Sequence, residues 1–251
     1  MRGQGRRIIW YNRRVKLTRI TEWLDRELNL SAFDDVSNNG LQLSREGVEV
    51  HKAAVAVDAS VRAVEAAANA GAGLLIVHHG ISWGGGIRRI DGGIYRVVRA
   101  AISADVAIYA CHLPLDAHPR LGNNAQLAKA LGLRRLRPAF VYHGNVIGFV
   151  GVNARAKTAE IGGCKFNVPC GLVGVCSGGA GDFAEAAKRL GCVLYVTGEA
   201  SWGDMIAAEN CGMRMVCAGH YATETFGVRA VATEMRRALK LPVDDLTEEL
   251  S

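Results

Sequence analysis

Leu74-Leu75-Ile76-Val77-His78-His79-Gly80 is the stretch on which the fold turns. Four aliphatic residues bounded by glycines suit a strand buried on both faces of an α/β sheet better than a helix. The run ends in two histidines, and in such sheets ligands gather at the carboxyl ends of strands. Two imidazoles there, followed by a permissive glycine, make a candidate metal-binding edge. The alternative is a polar pair that only ends the strand, since most histidines hold no metal.

Three more apolar runs end in potential ligands. Residues 107–111 lead into His112, then Asp116 and His118. Residues 192–197 lead through Thr197 to Glu199, and 214–217 lead through Ala218-Gly219 to His220 and Glu224. Helical periodicity or capping signals between the strands predict helices at 18–28, after Ser60, and at 94–104, 125–131, 182–190, 203–210 and 224–240. Asn123 or Asn124 is expected to cap the fourth of these. Residues 113–119, with two prolines, are expected to form an ordered loop. Residues 138–176 read as strands joined by glycine turns. The acidic tail from Asp244 is expected to fray.

The chain also resembles itself. Residues 55–84 and 173–203 are both strand–helix–strand units ending in Ser-Trp-Gly, and Cys111-His112-x-x-x-Asp116 parallels Gly219-His220-x-x-x-Glu224. The expected fold class is therefore α/β, with two related halves from an internal duplication and sheets flanked by helices. The halves span 16–137 and 138–251 and form one unit across a cleft, preceded by a basic extension over 1–15.

Composition bounds the function. With 251 residues and 49% hydrophobic residues, the chain can bury a large core. No apolar segment approaches the roughly 20 residues that cross a bilayer, so a soluble, cytoplasmic protein without membrane contact is expected. Seven cysteines make no Cys-x-x-Cys pair and read as reduced core thiols rather than a thiolate zinc site. The net charge of +6 is concentrated in Arg2, Arg6, Arg7, Arg13, Arg14 and Lys16. Removing these six from the 30 basic residues leaves 24, equal to the 24 acidic ones. A neutral body disfavours nucleic acid as a partner. The leader reads as a disordered extension, or as sequence ahead of a start at Val15.

Adjacent side chains on a strand point to opposite faces, so His78 and His79 are expected to serve two ions unless the strand twists. Spacing of four places His220 and Glu224 on one side of a helical turn, and Asp116 adds a carboxylate. Three imidazoles with two carboxylates suit Zn²⁺, Fe²⁺, Mn²⁺ or Co²⁺ better than Ca²⁺. Five ligands leave positions open for water on two ions, and Glu224 is the expected bridge. His112 is either a base or proton donor beside the ions or a core histidine. His118 and Asp58 read as loop and capping residues, and His51 and His143 as structural or exposed. Thr197 and Glu199 either line the cleft or mark a turn.

Five motifs in order carry a family resemblance: Asn39-Gly40-Leu41-Gln42, Ile76-Val77-His78-His79-Gly80, His112-Leu113-Pro114-Leu115-Asp116-Ala117-His118, Gly122-Asn123-Asn124 and Gly219-His220-Tyr221-Ala222-Thr223-Glu224. They resemble the dinuclear-metal-centre proteins of the NGG-one-interacting-factor-three family, in its short form, many of which are described as GTP cyclohydrolase I type 2 homologues. The resemblance implies a toroidal homohexamer with two divalent ions per subunit, held by His78, His79, Asp116, His220 and Glu224. It implies a hydrolase in which metal-activated water attacks a nucleotide or related substrate, with His112 as the catalytic proton carrier. For GTP the attack would fall on C8 of guanine, opening the imidazole ring and releasing formate. Two alternatives stand beside it: a phosphoester hydrolase, and a non-catalytic metal-binding ring that binds DNA or a protein.

Overall fold

A computed structural model describes residues 14–251. The basic extension expected over 1–15 lies outside these residues, apart from its last two. The chain begins with β1 (Val15–Lys16), α1 (Leu17–Glu27), β2 (Gly40–Leu43), β3 (Glu49–Val50), β4 (Ala53–Asp58), α2 (Val61–Asn69) and β5 (Leu74–His79). It continues with α3 (Gly92–Ser103), β6 (Ala107–Ala110), α4 (Leu113–Ala117), α5 (Asn123–Ala130), β7 (Arg134–Tyr142) and β8 (Asn145–Asn153). Then come β9 (Lys157–Ile161), β10 (Cys164–Val168), β11 (Gly171–Gly179), α6 (Ala184–Arg189), β12 (Leu194–Glu199) and α7 (Trp202–Asn210). Strand β13 (Met215–Cys217), helix α8 (His220–Leu239) and strand β14 (Val243–Asp245) complete it.

Two five-stranded sheets result, in the orders β14-β4-β5-β6-β2 and β13-β12-β11-β8-β7. In the first, β14, β4, β5 and β6 run parallel, with Ala53 beside Leu74 and Leu74 beside Ala107, and β2 runs antiparallel to β6. In the second, β11, β12 and β13 run parallel, and β8 and β7 are antiparallel additions. Strand β5 is buried from Leu74 through His78, as its unbroken apolar run requires when helices cover both faces of a sheet. Among the described residues no helix is long and apolar enough to cross a membrane.

Helix α8 joins the sheets. Its later residues Val228, Val231, Met235 and Leu239 pack with Val55, Val57, Leu74 and Ile76 of the first sheet. Its earlier residues Ala222 and Phe226 pack with Val173, Val175, Leu194 and Val196 of the second. The outer face of the first sheet is covered by α2 and α3 through Ala63, Val64, Ala67, Val98 and Ala101. The outer face of the second is covered by α6 and α7 through Ala184, Ala187 and Ala208. Helix α1 buries Leu17, Ile20 and Leu24, the stripe that its 3.6-residue period creates.

Several expectations are corrected. Residues 113–117 are a short helix, because Pro114 sits in the first turn, where its missing N–H costs nothing. Helix α5 starts at Asn123 with Gly122 as its cap, and both asparagines are buried for other work. Helix α8 starts at His220, four residues earlier than its apolar periodicity alone suggested. The tail is ordered, with β14 pairing with β4 and Leu246 and Thr247 buried. Its acidic side chains are matched by Lys52 on Asp244 and Arg229 on Asp245 and Glu248. Of the cysteines, Cys111, Cys176 and Cys192 are core thiols, but Cys170 and Cys217 are exposed.

Candidate metal centre

The end of β5, the start of α4 and the start of α8 meet in one cleft. Gly219, with φ of 97°, turns the chain into α8 in a conformation that favours glycine. This turn sets His220 and Glu224 one above the other on the first turns of the helix, with His220 Nε2 3.1 Å from Glu224 Oε1. Glu224 Oε1 is also 3.6 Å from His78 Nε2, and Oε2 is 3.5 Å from His79 Nε2. Asp116 reaches the cluster from α4, its Oδ2 3.5 Å from His78 Nε2. The structure thus brings together His78, His79, Asp116, His220 and Glu224. The two adjacent rings lie 4.6 Å apart. Strand alternation separates their Cβ atoms, but β5 ends here and the ring tips converge.

All four imidazoles of the cleft are held the same way. His78 Nδ1 lies 3.0 Å from the Cys111 carbonyl oxygen, and His79 Nδ1 lies 2.8 Å from Asp58 Oδ1. His112 Nδ1 lies 2.8 Å from Asp35 Oδ1, and His220 Nδ1 lies 2.9 Å from Glu199 Oε1. Each Nδ1–H is thereby placed to donate to an oxygen. The Nε2 lone pair is left for the cleft, the arrangement that fixes the tautomer of metal-binding histidines. Asp58 and Glu199 are therefore orienting residues. His118 bonds the Glu27 carbonyl oxygen and accepts from the N–H groups of Arg120 and Leu121. It holds a loop, as expected, and His51 and His143 are exposed.

The residues that sequence reasoning passed over lie around this set. Asp35, read only as part of a turn, accepts from His112, the Leu113 N–H, the Ser37 N–H and the Asn39 side chain. Asn39 in turn accepts from the His112 N–H. Asn123 and Ser177 donate to Asp116 Oδ1, and Asn124 accepts from the Ser177 N–H. The only sequence signal for these roles was the Asp-x-x-x-Asn and Gly-Asn-Asn patterning. Trp83 stands edge-on to His112 with ring centres 5.1 Å apart.

The electrostatics favour cations. Burial alone would push the His78 imidazole down, but the carboxylates of Asp116 and Glu224 override it and raise it to about 10. The hydrogen bond to Glu224 raises His220 to about 9 against the opposing effect of burial. Burial would raise Glu224, yet His78 and His220 hold it well below the usual carboxylate range. Asp35, also against its burial, is held at about 2 by His112, Asn39 and Ser37. Without a metal, the His78 and His220 rings keep their protons at neutral pH. A divalent ion would take their place.

Three observations fit metal ions to these residues. His78 Nε2 and Glu224 Oε2 are buried and have no hydrogen-bond partner, a condition that costs about 1–3 kcal/mol per atom when nothing fills it. The donor atoms of His78, His79 and His112, and those of His79, His220 and Glu224, lie within 4.8 Å of one another. Gly178, with φ of 66°, leaves open a space that a Cβ would fill against Glu224 Oε1 and His220 Nε2.

A mixed α/β fold whose strand ends converge on imidazoles and buried carboxylates defines a candidate metal-binding protein. The chain belongs to the Duf34/NIF3 (NGG1p interacting factor 3) family, whose sequence pattern matches residues 15–247. It is 40% identical over 241 residues to the GTP cyclohydrolase 1 type 2 homolog of Deinococcus radiodurans, covering 89% of each chain. It is 41% identical over 227 residues to the homolog of the same name from Pyrococcus horikoshii, covering 84% of this chain and 90% of that one. The solved structure of protein ybgI, of unknown function, is 30% identical to it. That structure matches with a TM-score of 0.79 over 93% of this chain and 98% of its own.

Proposed function

We propose that this protein is a metal-dependent hydrolase holding two divalent ions (Zn²⁺, Fe²⁺, Mn²⁺ or Co²⁺) in the cleft and acting on a nucleotide or related substrate. The observation that carries the reading is the pair of buried, unpartnered atoms, His78 Nε2 and Glu224 Oε2, set among further donors whose Nδ1 atoms are already tied back. His78, His79, Asp116, His220 and Glu224 would hold the ions, with Glu224 shared because its two oxygens face three imidazole nitrogens. Bound there, the ions would supply Lewis acidity, lowering the pKa of water and polarising an electrophilic carbon or phosphorus.

The remaining work falls to the chain's own groups. His112 presents Nε2 to the cleft and can take up or return a proton there. Asp35 stays ionised and holds the His112 Nδ1 proton, so ring orientation and tautomer are set before substrate arrives. Trp83 limits rotation of that ring. Asn123 and Ser177 hold Asp116 through Oδ1 and leave Oδ2 toward His78.

The reading extends to assembly as the toroidal homohexamer that the resemblance implies, to two units related by duplication, and to a cytoplasmic setting. The run of adjacent parallel strands in each sheet, four in the first and three in the second, and the exposed Trp202, Met205 and Ile206 on α7 support the first two of these. Elemental analysis of protein purified without chelators tests the metal centre. About two ions per chain are expected, and the His78→Ala/Glu224→Ala variant should lose them while keeping its circular dichroism. A chain that holds no metal and takes up none on titration with Zn²⁺, Mn²⁺ or Fe²⁺ would falsify the hydrolase.

A further inference from the structure

The imidazole–carboxylate cluster forms one wall of a hollow of about 440 Å³, where His79, His112, Asp116 and His220 line it, and the hollow extends from there along the second sheet. Glu224 lines it, only 4% exposed, with its Oε2 unpartnered. Beyond Glu224 the wall includes Tyr142, Asp182, Phe183, Glu199 and Asp204. Asp182 and Phe183 sit in the 3-10 turn Gly181–Phe183 after β11, and Asp204 in the first turn of α7. The turn lies directly on α7, since a Cβ on Gly181 would come within 3.0 Å of Asp204 Cβ. Asp204 Oδ2 accepts the Ser201 N–H at 2.8 Å, which fixes the carboxylate in place. Burial and the charge of Asp204 both raise the Asp182 carboxyl. Phe183 is held flat by stacking on Phe140, with centroids 5.5 Å apart.

The charge count of this hollow is one-sided. Asp116, Glu224, Glu199, Asp182 and Asp204 line it beside the imidazoles of His79, His112 and His220, and among the described residues no lysine or arginine does. With the metal bound, the ligands His79 and His220 carry no charge of their own. Five carboxylates exceed by one the charge that two divalent ions bring. A triphosphate needs arginine, lysine or a surplus of metal charge to replace its water. A planar nitrogen heterocycle needs something different: an aromatic face to stack on and carboxylates to accept from its N–H groups. Phe183 and Tyr142 offer the first, and Asp182 and Asp204 the second.

We infer that the hollow receives an uncharged N–H-bearing ring, a nucleobase or nucleoside, and rejects the same ring carrying a triphosphate, with Asp182 and Asp204 setting the preference. This rests on the metal-centre reading only in that the ring would lie beside the ions.

Isothermal calorimetry on the protein with its metal, using guanosine and GTP at one ionic strength, tests it. Guanosine should bind at least about tenfold more tightly than GTP. Asp182→Asn/Asp204→Asn should bring the two affinities within about threefold, with metal content unchanged. Asp182→Asn alone, at an exposed position outside the α7 cap, should move the ratio the same way and guards against misfolding of the double variant. GTP binding as tightly as guanosine, an unchanged ratio in both variants, or binding of neither compound would overturn the inference. Metal analysis of the same samples separates the two readings. Tight GTP binding by a chain that keeps its two ions overturns this inference alone, whereas a chain without metal fails the reading beneath it.

Discussion

The two sheets face one cleft and bring different things to it. The first sheet and the segments after it bring rings and charge: His78 and His79 end β5, and His112 and Asp116 follow β6. The second sheet brings room at its own strand ends, and only the segment after β13 adds donors, His220 and Glu224 on α8. Strand β11 ends in Gly178-Gly179 and β12 in Gly198-Glu199, and Cβ atoms at 178 or 198 would collide with Glu224 or with the start of α8. The tryptophans differ in the same sense. Trp83 stands against His79 and His112, whereas Trp202 is 74% exposed. A site of this kind needs an end that supplies donors and an end that stays empty enough for α8 to come close.

The sharpest way to break the comparison is to fill the empty end. Gly178→Ala should cost about 1–3 kcal/mol through its left-handed backbone alone and displace Glu224, so that metal content falls as well. Urea denaturation with elemental analysis reads both, and a variant with wild-type stability and two ions would show that the space is incidental. A finer test pits one orienting carboxylate against the other. Glu199→Gln on the second sheet and Asp58→Asn on the first should each weaken metal affinity about 10–100-fold, measured by competition with a chromophoric chelator. Equal losses would mean that both sheets tune the donors, whereas a loss confined to Asp58→Asn would restrict the second sheet to making room.

The smallest effect concerns the far half of α8. Arg237 holds the Glu234 carboxyl at about 2 against the opposing effect of burial, and Arg120 adds to it. A carboxyl depressed in the folded state stabilises above its unfolded value, here about 4.5, and that contribution is lost as pH falls toward 2. The melting temperature of the wild type should therefore exceed that of Glu234→Gln at pH 5 and converge with it by about pH 2. Parallel curves across that range would remove Glu234 from the acid response.

Much of the site was legible because its chemistry is carried by residue type and place. Histidines after apolar runs mark strand ends, and the four-residue spacing of His220 and Glu224 needed only the helix that Gly219 starts. What was not legible depends on contacts distant in sequence. Asp35 looks like any turn aspartate until the fold sets it against His112, 77 positions away. Asn123 and Asn124 match a capping signal, yet the fold turns their amides onto Asp116, Ile147 and Gly227. The tail looked too acidic to settle, because Lys52 and Arg229, which neutralise it, are remote along the chain. Pro114 reads the opposite way, since proline breaks a helix interior yet fits the first turn it occupies here.

Strand β14 has a consequence for how the molecule is made. It lies on the edge of β4, and the Lys52–Asp244 pair beside it closes a separation of 192 residues. During synthesis β4 emerges early and waits for almost the whole chain before its neighbour exists. Pairings of such range form slowly, and an open edge is a template for other strands. A ribosome that stalls short of Val243 would release a product with most of the cleft's residues and a sticky border. Such a product is a natural client for chaperones.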